Sequence, residues 1–230
     1  MKQLITTGII LARVNFGEAD RVLTVLTPDY GKLHLMAKGV RRIQSKLAGG
    51  IELFSISNIT FIYGRGSIGT LISSRLIQHY GHIVNDIKRV QLGYDLIGLL
   101  NKITEDNISA EYFDLLKETF LALDDLTIIE DLVRTWFYAQ LLRIGGHNPN
   151  LHTNRIGQKL ETTKTYGFNF ENMTFVPQEG KQFTVNHIKF LRLVFGRDKL
   201  SRLQTVNDLP KLLTVCSPII QTMLNNIVQV

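Results

Sequence analysis

Lys38, Arg41, Arg42 and Lys46 fall within nine residues, in the run Ala37-Lys-Gly-Val-Arg-Arg-Ile-Gln-Ser-Lys46, and no acid interrupts them. Four cations on one short loop suit a polyanion. Each can neutralise a phosphate and release a condensed counterion, the main source of affinity for a nucleic-acid backbone. Arg21 and Lys32 precede the run and Arg65 sits in a glycine turn after it, so these three are candidate supporting contacts. Residues 1–80 carry ten Lys or Arg against four acids, which places the chain's whole excess of +6 there, whereas residues 85–131 carry eleven acids against four bases. Such asymmetry suits a polyanion partner for the N-terminal part, although a solvated basic surface fits the charge alone equally well.

Other chemistry finds no constellation. Gly64-Arg-Gly66-Ser-Ile-Gly69 matches the spacing of a dinucleotide loop, but that use needs a helix after it, and here strand-like sequence lies on both sides. A hairpin turn is the expected structure, and there is no Walker-type sequence. The histidines, His34, His79, His82, His147, His152 and His187, have no Cys or acid at a metal-ligand spacing. The acid pairs Glu105-Asp106, Asp124-Asp125 and Glu130-Asp131 fall at helix ends, where they cap and solvate. Neither Cys216 nor any serine stands in a nucleophile elbow. The chain is therefore expected not to be an enzyme, and no cofactor or metal is expected. One cysteine excludes an intramolecular disulfide and fits a reducing compartment, and no apolar run reaches the ~18 residues of a membrane span. A cytoplasmic protein is expected.

The elements that must position the cations are strands. Leu4 to Asn15, Arg21 to Thr27, Lys32 to Val40, Ile51 to Tyr63 and Ile68 to His79 are rich in Ile, Val, Leu, Thr and Phe and are separated by turn signals such as Pro28-Asp-Tyr-Gly31. Five short strands are best closed as a barrel, and an OB-type barrel is expected over residues 1–80. In the third strand Leu33, Leu35 and Ala37 alternate with Lys32, His34, Met36 and Lys38, giving one apolar and one cationic face. Among the barrel aromatics, Tyr30 and Tyr63 stand beside turns with a cation nearby and are candidates for base stacking.

After Gly81 the period becomes helical. Helices are expected over Asp86 to Ile103, Ala110 to Leu123, from a capping box at Thr127-Ile-Ile-Glu130 through Arg143, over Thr184 to Phe195, and as two short helices from Pro210 and Pro218. Residues 81–230 thus form a helical domain, with 147–182 an inserted subdomain of irregular or weakly β character. The fold class is α+β. Arg134, Arg143, Lys189, Arg192 and Arg197 are available to flank a groove for an acidic, aromatic peptide tail. Two readings compete with DNA binding: an OB-fold RNA-binding protein, and a protein–protein adaptor whose C-terminal Ile219, Ile220, Met223, Leu224 and Ile227 grip partner helices.

The N-terminal sequence resembles a known family. Thr7-Gly-Ile-Ile-Leu11, Phe16-Gly-Glu-Ala-Asp-Arg-Val-Leu-Thr24, Gly31-Lys-Leu33, Ala37-Lys-Gly-Val-Arg-Arg42, Ser45-Lys-Leu-Ala-Gly49, Glu52-Leu-Phe54 and Tyr63-Gly-Arg-Gly66 match the bacterial recombination mediator RecO in order and spacing. The resemblance implies a DNA repair and recombination factor of the cytoplasm and nucleoid. It would bind single- and double-stranded DNA, anneal complementary strands without ATP and assist RecA on gapped DNA. RecR and the C-terminal tail of single-strand-binding protein are the implied partners. Lys38, Arg41, Arg42 and Lys46 match the family's basic loop after the third strand. Many relatives carry a four-cysteine zinc module in the insertion, but residues 147–182 hold no cysteine. Zinc is expected to be absent there, and packing through Leu151, Leu160, Phe168, Phe170 and Phe175 must hold the segment instead.

Overall fold

The computed structural model describes residues 2–64, 66–106, 109–154, 156–161, 163–180, 183–197 and 199–228. The chain divides into two compact units, Met1–Leu126 and Thr127–Val230. The change of period at residue 80 and the division of contacts thus fall in different places, because the first three helices pack with the barrel.

The first unit opens with β1 (Leu4–Phe16), β2 (Asp20–Thr27), β3 (Gly31–Ala37), β4 (Ser55–Ile62) and β5 (Gly69–His79). They close in the order β1-β2-β3-β5-β4, all neighbours antiparallel except the β3–β5 pair. This is the expected five-stranded OB-type barrel. Bulges at Ile10/Ala12 in β1 and at two points in β5 supply the bend that closure requires. The interior is filled by Ile10, Leu23, Val25, Leu33, Leu35, Ile59, Phe61 and Leu71. Gly69 pairs with Leu35 across the parallel junction, where a Cβ would stand 2.8 Å from the Leu35 Cδ2. The sheet closes there because residue 69 has no side chain. The glycine sequence falls between the antiparallel strands β4 and β5, and Gly69 opens β5 rather than a helix.

β4 begins four residues later than its apolar run suggests. Ala48–Gly50 forms a 3₁₀ turn that ends at Ile51, and Phe54, immediately before β4, adopts a left-handed φ of 54° with its ring buried. That backbone costs about 1–2 kcal/mol. Burial offsets it, since the ring meets Tyr94 and Phe120 edge-on at 5.4 and 5.6 Å.

Helices α1 (Gly81–Val84), α2 (Ile87–Ile103) and α3 (Glu111–Asp124) complete the unit. Asp86 caps α2 by accepting the Lys88 and Arg89 backbone N–H groups. Arg89 is buried, and its guanidinium donates to the carbonyls of Leu123, Asp125 and Leu126 at the end of α3. A buried cation is tolerable there because it satisfies carbonyls that a helix end leaves open.

The second unit is built on α4 (Glu130–Ile144), packed against α5 (Val185–Phe195) and α7 (Leu209–Val228), with the short α6 (Leu200–Leu203) between them. Two expectations fail here. Helix α4 starts at Glu130, with Ile129 at its N-cap, rather than from a capping box at Thr127. Leu126 to Ile128 form a turn and a bend ahead of it that bury Ile128, an apolar anchor before the first helical turn. The two short helices expected from Pro210 and Pro218 are one helix, α7, with Pro218 inside it. Leu209, Leu212, Leu213, Cys216, Ile219, Ile220, Met223 and Leu224 form one buried stripe in unbroken register across the proline. That burial outweighs the ~3 kcal/mol an interior proline costs. Cys216 is part of this core, and burial pushes its thiol up to about 12. At the start of α5, Thr184 is the N-cap, and its N–H donates to His187 Nδ1 at 3.0 Å.

The insertion contributes a two-stranded sheet, β6 (Tyr166–Asn169) and β7 (Thr174–Pro177). Among the described residues no helix is long and apolar enough to cross a membrane, and no group of three or more His, Cys, Asp or Glu could hold a metal ion.

Candidate nucleic-acid interface

The basic loop leaves β3 at Lys38 and runs to the 3₁₀ turn. Gly39 takes a left-handed φ of 64°, and the chain then folds on itself through bonds from Arg42 N to Gly39 O and from Ser45 N to Arg42 O. The side chains of Lys38, Arg42 and Lys46 are exposed, and among the described residues none of them enters a hydrogen bond or ion pair. Arg41 is exposed as well, and its Nη1 donates to the Gly17 carbonyl at 3.2 Å.

That last contact belongs to a clamp between this loop and the tip of the β1–β2 hairpin. The Gly39 N–H donates to Asp20 Oδ1 at 2.7 Å, and the Arg41 N–H donates to the Ala19 carbonyl at 2.9 Å. Asp20 is thereby held by the backbone of the basic loop, and its carboxylate offsets one of that loop's four charges. Arg21 stands beside the same tip, its Nε donating to Asn15 Oδ1 at 3.1 Å. The clamp holds four Lys and Arg residues on one loop and a fifth cation next to it. Ordering is settled before a ligand arrives, which lowers the entropy cost of binding.

Lys32 has a different role from the one its sequence position suggests. It lies on the outward face of β3, as the alternation requires, but its ammonium donates to the carbonyls of Asn101 and Thr104 at 3.0 and 2.7 Å. It therefore closes the C-terminus of α2 and is not a free phosphate contact. Burial lowers the Lys32 pKa from its ordinary value, with the Asp106 charge opposing. Asp106 also accepts from or pairs with His34 Nε2 at 3.3 Å, and the Lys32 N–H donates to its carbonyl. The Gly31 end of the β2–β3 face is thus covered by the end of α2 and carries acid, and the Ala37 end is open. Arg65 lies outside the described residues.

Residues 1–80 match the family Recombination protein O N terminal. Over 84% of its length the chain is 32% identical to the DNA repair protein RecO of Dehalococcoides mccartyi, covering 78% of that protein. The chain belongs to the RecO family. It is also 29% identical to the DNA repair protein RecO of Halalkalibacterium halodurans, over 89% of this chain and 82% of that one. With the protein of the same name from Trichodesmium erythraeum it shares 29% identity over 94% and 80%. The clamp gives a physical reason for two of the motifs that carry the RecO resemblance. Gly17-Glu-Ala-Asp20 and Ala37-Lys-Gly-Val-Arg41 are far apart in sequence but form one structure, in which the first supplies the acceptors and the second the donors.

Tyr30 and Tyr63 are both exposed, and each also packs edge-on against Phe61 with ring centroids 5.6 Å away. Phe54 and Tyr80 pack on Phe120. Phe16, which neighbouring turns did not single out, is 58% exposed at the end of β1. Strand parity could have found it: Leu23 faces inward opposite Arg13, which turns Val14 and Phe16 outward.

In the second unit, a groove of about 420 Å³ runs between α4 and α7, lined among others by Ile129, Arg134, Tyr138, Leu213 and Pro218. Of the five cations considered for this half, two are engaged elsewhere. Arg192 donates to the Leu151 carbonyl through Nε and Nη2, and Arg143 Nε donates to Gln140 Oε1. Gln140 in turn closes the C-terminus of α5 by donating to Val194 and Gly196 carbonyls.

Proposed function

We propose that this chain is a DNA repair factor that binds single- and double-stranded DNA through the basic loops of its barrel and anneals complementary strands without ATP, assisting RecA on gapped DNA. The carrying observation is the clamped loop of Lys38, Arg41, Arg42 and Lys46, whose four exposed charges outnumber the one carboxylate bonded to the loop, that of Asp20. The relatives' shared name, DNA repair protein RecO, supports the same reading. Annealing needs no covalent step and the chain acts as no enzyme in it. Two strands must be neutralised while their base edges stay free, and cations aimed at phosphates do both. Nucleotide hydrolysis has no part in that process.

The test is anisotropy with labelled single strands, duplexes and RNA of one sequence at several salt concentrations, followed by annealing of complementary strands with no nucleotide added. Salt-sensitive DNA binding and faster annealing are expected. Absence of DNA binding at low salt would overturn the reading, and tighter binding to RNA would replace it with the RNA-binding one.

RecR and the tail of single-strand-binding protein are the proposed protein partners. The α4–α7 groove suits such an acidic, aromatic-ended tail, because Ile129, Leu213 and Pro218 offer apolar contact and Arg134 a cation. Arg134→Glu should weaken binding of a tail peptide about tenfold or more, as removal of a charged partner at an interface does. Unchanged affinity by calorimetry would remove the tail from this groove.

A further inference from the structure

Among the described barrel aromatics, Tyr30, Phe54, Phe61, Tyr63 and Tyr80 all have a ring neighbour, and Phe16 has none. A single exposed apolar residue needs no explanation by itself. Its setting here is more specific. Phe16 pairs with Asp20 at the last rung of the β1–β2 ladder, and Asp20 is held by the Gly39 N–H. The following turn is fixed by Arg41 at the Gly17 and Ala19 carbonyls. The ring is thus exposed on a backbone that is clamped on both sides. One guanidinium group is held close by, that of Arg41 at the Gly17 carbonyl, whereas Arg21 pairs with Asn15 and Ala37 and shares their face of the ladder, opposite to that of Phe16. Space around the turn is open, since a Cβ built at Gly17 would meet nothing within 4 Å. Apolar surface continues from the ring, because Val14 lies on the same side of β1 and pairs with Val22, which pairs with Met36.

We propose that the tip of the β1–β2 hairpin is a stacking platform for an unpaired base, with Phe16 receiving the base and Arg41 a flanking phosphate. The inference rests on the DNA-binding reading above and adds what that reading lacks, a preference for single strands. A ligand that alternates planar apolar faces with anions matches an apolar ring beside a fixed cation. Single-stranded nucleic acid has that chemistry, whereas a duplex hides the faces of its bases. An apolar protein partner would account for the ring but not for the guanidinium group held beside it.

The experiment compares the native chain with Phe16→Ala, Phe16→Leu and Phe16→Trp, titrated with a single-stranded oligonucleotide, its duplex, and the same single strand carrying abasic positions. Both Phe16→Ala and Phe16→Leu should weaken single-strand binding roughly 5- to 100-fold, the range for loss of one stacked base. Phe16→Trp should retain it, with indole fluorescence quenched on binding. Duplex affinity should stay within about twofold, and the salt slope should not change, because phenylalanine releases no counterions. The abasic strand should bind the native chain and Phe16→Ala alike. Native-like single-strand affinity in Phe16→Ala, with salt-sensitive binding intact in the native chain, would overturn the platform and leave the DNA reading standing. Phe16→Leu behaving as native would show that bulk and not stacking matters, and would overturn it too. So would loss of a protein partner with DNA binding unchanged. If the native chain fails to bind single strands at low salt, both readings fall. Phe16 is exposed, so matching melting curves should show that all variants fold.

Discussion

Changing Lys38, Arg41, Arg42 and Lys46 to alanine together should lower affinity for single-stranded DNA by on the order of a hundredfold or more at moderate salt, and flatten its salt dependence. Each phosphate contact contributes roughly 0.7 to the slope of log affinity against log salt for single strands, so loss of four contacts removes about 3 from it. The fold should survive. All four side chains are exposed, and the structural bond that disappears is the exposed one from Arg41 Nη1 to the Gly17 carbonyl. Both backbone bonds of the clamp remain, since the Gly39 and Arg41 N–H groups persist in the variant. Lys32→Met is the informative contrast. It deprives the Asn101 and Thr104 carbonyls of their donor. The expected result is a loss of about 1–3 kcal/mol in stability with the salt slope unchanged. Equal flattening of the slope by Lys32→Met would return Lys32 to the interface, and an unaltered slope in the fourfold variant would move the interface elsewhere.

Why one cation is free and its neighbour is engaged could not be read from the chain. Period 2 places Lys32, His34, Met36 and Lys38 on the outward face of β3, and it places Leu33, Leu35 and Ala37 correctly in the core. Within the outward set nothing local separates Lys32 from Lys38. The difference comes from the end of α2, some seventy residues later, which covers one end of the strand pair and leaves the other open. Tyr30 and Tyr63 stay exposed beside their turns, and the edge contact of each with Phe61 is a packing role that the turns did not show. The proline at 218 looked like a helix start because local preference favours it there, and only the stripe from Leu209 to Leu224 shows that one helix continues. In each case the local signal was read correctly, and a tertiary contact decided the outcome.

The same contacts change what the charge count means. Arg89 closes α3, Lys32 closes α2, and Arg192 is held by the insertion, so part of the basic charge serves helix ends and backbone carbonyls. What is left free in the barrel concentrates on the clamped loops. Acids do the opposite: Asp95, Asp114 and Glu111 face solvent on α2 and α3, and Asp106 occupies the covered end of the β2–β3 face. A polyanion approaching this unit is attracted at one end of the strand pair and repelled at the other. On the proposed reading, that field would orient a strand toward the Lys38 end before any contact is made.

Phe175→Ala should cost the second unit about 3–5 kcal/mol, the usual range for a fully buried phenylalanine. The insertion has no cysteine with which to hold a metal, and its order rests on rings. Phe175 is completely buried and meets Tyr166, Phe168 and Phe183 at centroid distances of 6.4, 5.0 and 5.5 Å. Phe183 in turn meets His187 on α5 at 6.3 Å, which joins the insertion to the helices. Of the residues expected to pack, Leu151 and Phe175 are buried, whereas Phe170 is partly exposed. Tyr166 and Phe183 complete the cluster, exchanging backbone hydrogen bonds across it. Removing the central ring leaves three others facing a cavity too large to collapse around, and the segment should open to protease before the barrel does. Thermal unfolding and limited proteolysis would both report it. A strong chelator should leave the native chain's melting unchanged, since packing here takes the place that metal binding holds in a zinc module. If chelation lowers the melting temperature, or if Phe175→Ala melts as the native chain does, the insertion is not held in this way.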